Sequence, residues 1–334
     1  MKQYIRKHGL KAAGAVTIGA LLITAACAKV NPEPVPAAAP AAQEAKKQEA
    51  PLRTGEVFDK EKYKGQLTIR YFDLKDQKVG TGDSILITSP EGKTMLIDAG
   101  IADSGWQVVR YLDQLGIDTL DIALNTHPHS DHIGGYAEIL KKKDAKAFYM
   151  ENLPFPSSGA YRNAMAQVEK KKIPVTMLEE GDTFELGKEL KFEVFSPKKG
   201  ALPAAVTNYD ATTLNFFSLV IKMTYRDNTF LFPADIYKDK EMELVTLHGK
   251  KFDTDFVHAP HHGSSTSSSS TFIDAVTPKV AVISMNLFNR GEVLKAYEKK
   301  GAAVYATGLN GNILITSDGS HMKVIAEKDR PAVK

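Results

Sequence analysis

Six of the nine histidines in this chain fall in two short stretches, Thr126-His127-Pro128-His129-Ser130-Asp131-His132 and Val257-His258-Ala259-Pro260-His261-His262-Gly263. Random scatter rarely does that. The first stretch follows a segment that reads as a strand (Leu120 to Asn125) and precedes one that reads as a short helix around Tyr136, Ile139 and Leu140. His127 and His129 then leave a turn on one side, while Asp131 and His132 project from the helix start. Imidazole nitrogen and carboxylate oxygen are ligands that Zn²⁺, Mn²⁺ and Fe²⁺ accept, and four of them so close together can serve two adjacent ions.

The surrounding chain alternates strand and helix. QLTIRYFD, DSILITS and TMLIDAG, all within residues 66–100, are apolar runs rich in β-branched residues, and Pro90 to Gly92 turns the last two into a hairpin. Asp103 or Ser104 is placed to cap a helix whose Val108, Val109, Leu112 and Leu115 share a face, with Gly116 as its stop. Ser218 to Asp235 repeats the plan of Ser84 to Gly100: strand, polar turn, apolar strand, then an Asp. Matching halves of this kind predict two related sheets that face each other and deliver their terminal Asp residues to one seam. Further helices are predicted near Lys238 to Leu247, Phe272 to Val276 and Glu292 to Lys299, with strands at Phe256, Val280 to Met285 and Val304, and a closing hairpin over Asp318-Gly319. The class is α/β.

Residues 1–26 have a basic start (Lys2, Arg6, Lys7, Lys11), an apolar stretch around Val16 to Ile23, and small residues before Cys27. That is the layout of a secretory signal, too short to span a bilayer comfortably. The only cysteine stands directly after Ala25 and Ala26, and the segment resembles a lipoprotein signal peptide, which implies a lipid-bearing Cys27 and an exported, membrane-anchored protein. Thr24 departs from the Leu usual three residues before that Cys, so plain cleavage is the alternative. With Cys27 at the anchor, the folded part holds no thiol, and histidine and carboxylate chemistry must carry any catalysis. Of 43 Lys and Arg, four lie in residues 1–26, which hold no acid; the remaining 39 face 40 Asp and Glu, a formal −1. Net charge therefore gives no support to non-specific nucleic-acid binding. Residues 27–54 are Pro, Ala, Glu, Lys and Gln with almost nothing to bury, and read as a tether; 55–330 read as one domain.

The HxHxDH string after a strand resembles the signature of the metallo-β-lactamase fold superfamily. Asp98 in LIDAG is similar to that family's early strand-end Asp, Asp235 in FPAD to its metal-bridging Asp, and His261 in HHGS to its last metal-binding His. The resemblance implies an αββα sandwich of two facing mixed β-sheets flanked by helices, in agreement with the duplicated hairpins, and two divalent ions, Zn²⁺ or Mn²⁺. Within the superfamily, VGTGDSILI, LIDAG, THPHSDHIGG, the strand NFFSLVI (Asn215 to Ile221) and HHGSSTSS resemble the nuclease domain of ComEC-type competence proteins. Thr81 stands where that group usually has Gln, and Phe-Pro-Ala-Asp where it has Gly-Asp. No His lies between His132 and His248, and Asn215 occupies the region where many members carry another ligand His.

On that resemblance one ion takes His127, His129 and Asp235, and the other Asp131, His132, His261 and Asp235. The first site is a ligand short, and solvent, substrate or His258 completes it. Two such cations lower the pKa of a bridging water and hold a phosphoryl or carbonyl oxygen, which makes a bridging hydroxide the nucleophile. Asp131 then orients it as well as binding metal, and Asp98 serves as the partner that fixes a ligand imidazole. His262 is read as a proton donor or phosphate contact, with the alternative that it, rather than His261, is the ligand. His258, at a strand end, is read first as a core hydrogen-bonding residue. The functional expectation is a phosphodiesterase or nuclease acting on nucleic acid or another phosphodiester. Set against it are an envelope esterase of the phosphorylcholine-esterase type, a β-lactamase, and a lipoprotein that binds nucleic acid or envelope polymer without turnover.

Overall fold

The computed structural model describes residues 51–75, 80 and 82–332. The expected signal segment, Cys27 and most of the expected tether lie outside these residues, as do Val79 and Thr81. Arg53 already belongs to the fold: its Nε donates to Ala326 O and its backbone N–H to Glu327 O, each at 2.7 Å. The folded part therefore begins inside the stretch expected to be tether. No helix among the described residues is long and apolar enough to cross a membrane.

Two mixed sheets lie face to face. In spatial order the first holds Met322–Ala326, Ile313–Ser317, Leu67–Tyr71, Ile85–Thr88, Thr94–Ile97, Ile122–Leu124, Phe148–Met150 and Val175–Met177. The second holds Ala303–Ala306, Val280–Ile283, Phe256–His258, Asn228–Phe232, Val220–Tyr225, Leu190–Ser196 and Thr183–Leu186. Alternation along the strands explains the layering, because successive side chains of a strand point to opposite faces. Leu67, Ile69, Tyr71, Ile85, Ile87, Met95 and Ile97 meet Phe192, Val194, Ile221, Met223, Phe230 and Phe232 between the sheets. Leu86, Leu96 and Leu314 point the other way, onto Val108, Leu112, Tyr136 and Ile139 of the helices Gly105–Gln114 and Tyr136–Lys142. On the far side Val220, Leu231, Val257 and Ala281 pack against Leu244, Phe272, Ile273 and Leu294, from the helices Lys238–His248, Ser270–Val276 and Gly291–Lys299. The architecture is the expected αββα sandwich.

The repeated hairpins are its frame. Ile85–Thr88 pairs antiparallel with Thr94–Ile97, and Val220–Tyr225 with Asn228–Phe232. Each second strand then runs parallel to the strand that feeds a His cluster, Ile122–Leu124 in one sheet and Phe256–His258 in the other. Two sequence readings need correction. Asn215 lies in a helix, Ala211–Phe216, because Asp210 accepts from the N–H groups of Thr212 and Thr213 and caps it; the strand starts only at Val220. Ser104 makes no side-chain cap; its hydroxyl donates back to Ile101 O, after a 3-10 turn at Ala102–Ser104.

Candidate metal centre

The C-terminal ends of the four paired strands converge on one seam, where ligands gather in open α/β sheets generally. Asp98 leaves the Thr94–Ile97 strand with φ +57°. Its Oδ1 accepts from Thr126 N at 2.8 Å, and its Oδ2 from Thr126 Oγ1 at 2.7 Å. The same Oδ2 lies 2.8 Å from His132 Nδ1. Asp98 thus ties the end of one strand to the start of the His cluster and leaves His132 Nε2 pointing into the seam, 3.2 Å from Asp235 Oδ2. His127 Nε2 and His129 Nδ1 face each other at 2.9 Å, with Asp235 Oδ2 3.9 Å from His127. All three histidines of this cluster are buried.

The adjacent pair His261 and His262 both have φ +52°, a left-handed conformation that side chains other than glycine rarely adopt. That strained turn sends them to different places. His262 is buried, with Nε2 3.2 Å from Asp131 Oδ2 and 3.4 Å from Asp235 Oδ2. His261 sits at the rim. Its Nδ1 lies 2.6 Å from Thr266 Oγ1, its ring 5.0 Å from that of Tyr237, and its Nε2 only within 3.9 Å of Asp235. The inner position assigned to His261 on the family resemblance is therefore the one His262 fills.

Sequence reasoning missed Asp83. Its Oδ1 lies 3.1 Å from His262 Nδ1 and its Oδ2 2.8 Å from His258 Nε2, so it does for His262 what Asp98 does for His132. The signal was present: Asp83 opens one hairpin strand just as Asp98 closes its mate. Asp83, His132, Asp235 and His262 each offer an atom within 4.8 Å of the others. Asp83 Oδ1 faces the outer nitrogen of His262, while Asp131 Oδ2 faces its Nε2. His258 stacks on Tyr71 at 5.6 Å and stays in the core. Asn215 is buried with its Oδ1 unpartnered among the described residues, near the Tyr237 hydroxyl.

Charge in the cluster is lopsided. Asp83, Asp98 and Asp235 are buried and Asp131 partly so, yet no Lys or Arg pairs with any of them among the described residues. Burial opposes charge on His132 and His262, but Asp235 and the neighbouring carboxylates outweigh it and hold both well above the ordinary imidazole value. Burial, with His132 adding to it, pushes His127 well down, and His129 down too, which favours the neutral ring with a lone pair free for a cation. Burial likewise works against ionised Asp235, and His262 and His132 hold it well below the carboxylate range.

One buried acid lies outside the cluster. Glu151, after the strand Phe148–Met150, is fully buried, and neither carboxyl oxygen has a partner among the described residues. Burial, with Asp98 adding, raises it well above 4.5, so the folded state keeps it neutral. Its contribution to stability is complete below the unfolded value and is lost as pH rises towards the raised folded value. Glu151→Gln should therefore gain on the wild type by up to about 1.4 kcal/mol per pH unit above that lower bound. Thermal midpoints between pH 4 and 9 check this; parallel curves for the two proteins would contradict it.

The sequence model of the metallo-beta-lactamase superfamily matches residues 78–285, more than half of the chain. The chain belongs to that superfamily. Among curated proteins, it is 26% identical to ComE operon protein 3 of Bacillus subtilis (strain 168) over 257 residues, covering 70% of this chain and 32% of that one. It is 28% identical to Recombination protein 2 of Haemophilus influenzae over 260 residues, 75% of this chain and 29% of that one. It is 26% identical to Competence protein ComA of Neisseria gonorrhoeae over 211 residues, 63% and 26% of the two chains. The chain thus spans a quarter to a third of the length of these relatives. Among solved structures, a metallo hydrolase from the hyperthermophilic archaeon Ignicoccus hospitalis aligns with a TM-score of 0.42 and 14% identity, over 77% of this chain and 98% of that one.

This member of the metallo-beta-lactamase superfamily has two buried His/Asp groups able to hold metal ions, His127/His129/Asp235 and the set around His132, Asp235 and His262, joined through Asp235. The donors fit divalent cations. Imidazole nitrogens face inward, His132 and His262 each keep a carboxylate on the other nitrogen, and Asp235 Oδ1 is buried without a partner among the described residues. The chain has the metal-dependent hydrolase site of its family.

Proposed function

We propose that this hydrolase cleaves phosphodiester bonds, with nucleic acid as substrate, and that it works outside the cytoplasm, tethered through a lipid on Cys27. The observation that carries the reading is the pair of His/Asp groups sharing Asp235. Similarity to proteins named for competence and recombination supports the substrate class. We assign His127, His129 and Asp235 to one Zn²⁺ or Mn²⁺ ion, with Asn215 at its open side, and Asp131, His132, His262 and Asp235 to the other. When bound, such a pair lowers the pKa of water and offsets charge on phosphoryl oxygens. The chain's own part is to orient. Asp98 and Asp83 orient the rings of His132 and His262, Asp131 orients the attacking water, and His261 and Tyr237 stand together at the rim.

The test is turnover by purified protein stripped with chelator and reloaded with Zn²⁺ or Mn²⁺, on bis-p-nitrophenyl phosphate, DNA, RNA, p-nitrophenylphosphorylcholine and a β-lactam. Hydrolysis of the diester and of at least one nucleic acid is expected. Preference for the choline ester or the lactam, or metal binding without turnover of any of them, would refute the reading. Asp83→Asn should lower metal affinity or turnover roughly 10–100-fold, the scale of losing a carboxylate behind a ligand imidazole; chelator competition measures it. For location, Cys27→Ser should shift the protein out of the membrane fraction.

A further inference from the structure

Beside His129 the surface opens into a cleft of about 350 Å³ whose walls include Phe155, Ser157, Ser158, Asn208 and Tyr209. Tyr209 is the most exposed large apolar side chain among the described residues, at 72%. Its ring stands 5.8 Å from that of His129, tilted 37°, and 6.5 Å from that of Phe155. Phe155 is buried and anchored on Leu153, Val206 and Leu214, so the Tyr209 ring has a fixed wall behind it and open solvent in front. An exposed aromatic face beside a reaction centre gains nothing in the free protein; it gains by covering a flat partner. The volume lies at the lower end of small-molecule sites, about 300–1,000 Å³.

We infer that this cleft is a nucleobase subsite, in which Tyr209 stacks on the base next to the scissile phosphate and the polar groups of Ser157, Ser158 and Asn208 meet its edge. The inference rests on the phosphodiesterase reading and deepens it. No Asp or Glu lines the cleft, which favours a neutral planar ring over a quaternary ammonium group. Hydroxyl and amide groups offer donors and acceptors without selecting one charge, and stacking tolerates any base. Tyr209 is thus a specificity residue, and the chemical step proceeds without it when the substrate has no base.

Two p-nitrophenyl esters with the same leaving group separate these roles: methyl p-nitrophenyl phosphate, which lacks a base, and thymidine monophosphate p-nitrophenyl ester, taken as both the 5′ and the 3′ isomer. In the full-length, metal-loaded protein, Tyr209→Ala should lower kcat/KM for at least one thymidine isomer about tenfold or more, the scale of losing one stacked base. It should leave the methyl ester within twofold, and Tyr209→Trp should restore the thymidine value. Calorimetry gives a readout independent of turnover: wild type should bind thymidine monophosphate more tightly than inorganic phosphate, and Tyr209→Ala should lose that margin. Equal effects on the methyl and thymidine esters, no effect on either, or a Tyr209-dependent preference for p-nitrophenylphosphorylcholine would overturn the inference. Should no ester be hydrolysed, the phosphodiesterase reading fails on its own, and the calorimetric margin alone decides whether the cleft binds a base.

Discussion

Replacing Asp235 by Asn should cost the protein both metal ions and nearly all turnover, the largest loss expected of any single substitution. Its Oδ2 lies 3.2 Å from His132 Nε2, 3.4 Å from His262 Nε2 and 3.9 Å from His127 Nε2, so one oxygen addresses both ligand groups. An amide carries no charge and is a poorer donor to a hard or borderline cation. The loss should exceed the roughly 10–100-fold typical when only an outer carboxylate behind a ligand is removed. Metal analysis after dialysis and steady-state kinetics on bis-p-nitrophenyl phosphate check it. If Asp235→Asn retained two ions per chain, the assignment of Asp235 as the shared ligand would be wrong.

Gly82→Ala should be nearly as damaging, although glycine has no chemistry to lose. Gly82 has φ +75°, and a Cβ there would fall 1.7 Å from the carbonyl oxygen of Asp131 and 2.7 Å from its Cβ. Backbone meets backbone at that point, so the added methyl must move one of the two segments by an ångström or more. Displacing Asp131 disturbs the carboxylate that faces His262 Nε2 at 3.2 Å. A shift of that size costs about a hundredfold in rate at a site that depends on alignment. The crowding also destabilises the fold by about 1–3 kcal/mol. Kinetics and the thermal midpoint test both effects, and turnover within twofold of wild type would contradict the close approach.

The fold was legible because its signals are local and periodic. Alternating strands such as Leu67–Tyr71 and Thr94–Ile97, the two matched hairpins, and His clusters placed just after strands all follow from the chain alone. Asp98 was legible for the same reason, as an acid at a strand end beside a ligand-rich turn. What escaped depends on backbone direction and long-range contact. His261 and His262 share a residue type and a φ, and only the turn, which presses Gly263 against Ile283, decides which ring faces inward. Asp83 meets His262 and His258 across the two sheets, far apart in the chain. The stretch between the two halves held little periodicity, so the edge strand Thr183–Leu186, its neighbour Leu190–Ser196 and the helix Gly159–Lys170 went unread. Asn215 was read into a strand because apolar residues follow it, whereas the Asp210 cap decides for helix. Tyr209 carried no sequence signal, since its role depends on which residues surround it in space.

The most direct test of the account is a count of metal ions per chain, by mass spectrometry, in wild type, His262→Ala and His261→Ala after loading with Zn²⁺ or Mn²⁺ and removal of free ion. The geometry predicts two ions in the wild type, at most one in His262→Ala, and two in His261→Ala, since His261 stays at the rim on Thr266. Loss of an ion from His261→Ala with both retained in His262→Ala, or a wild type that holds none, would contradict it.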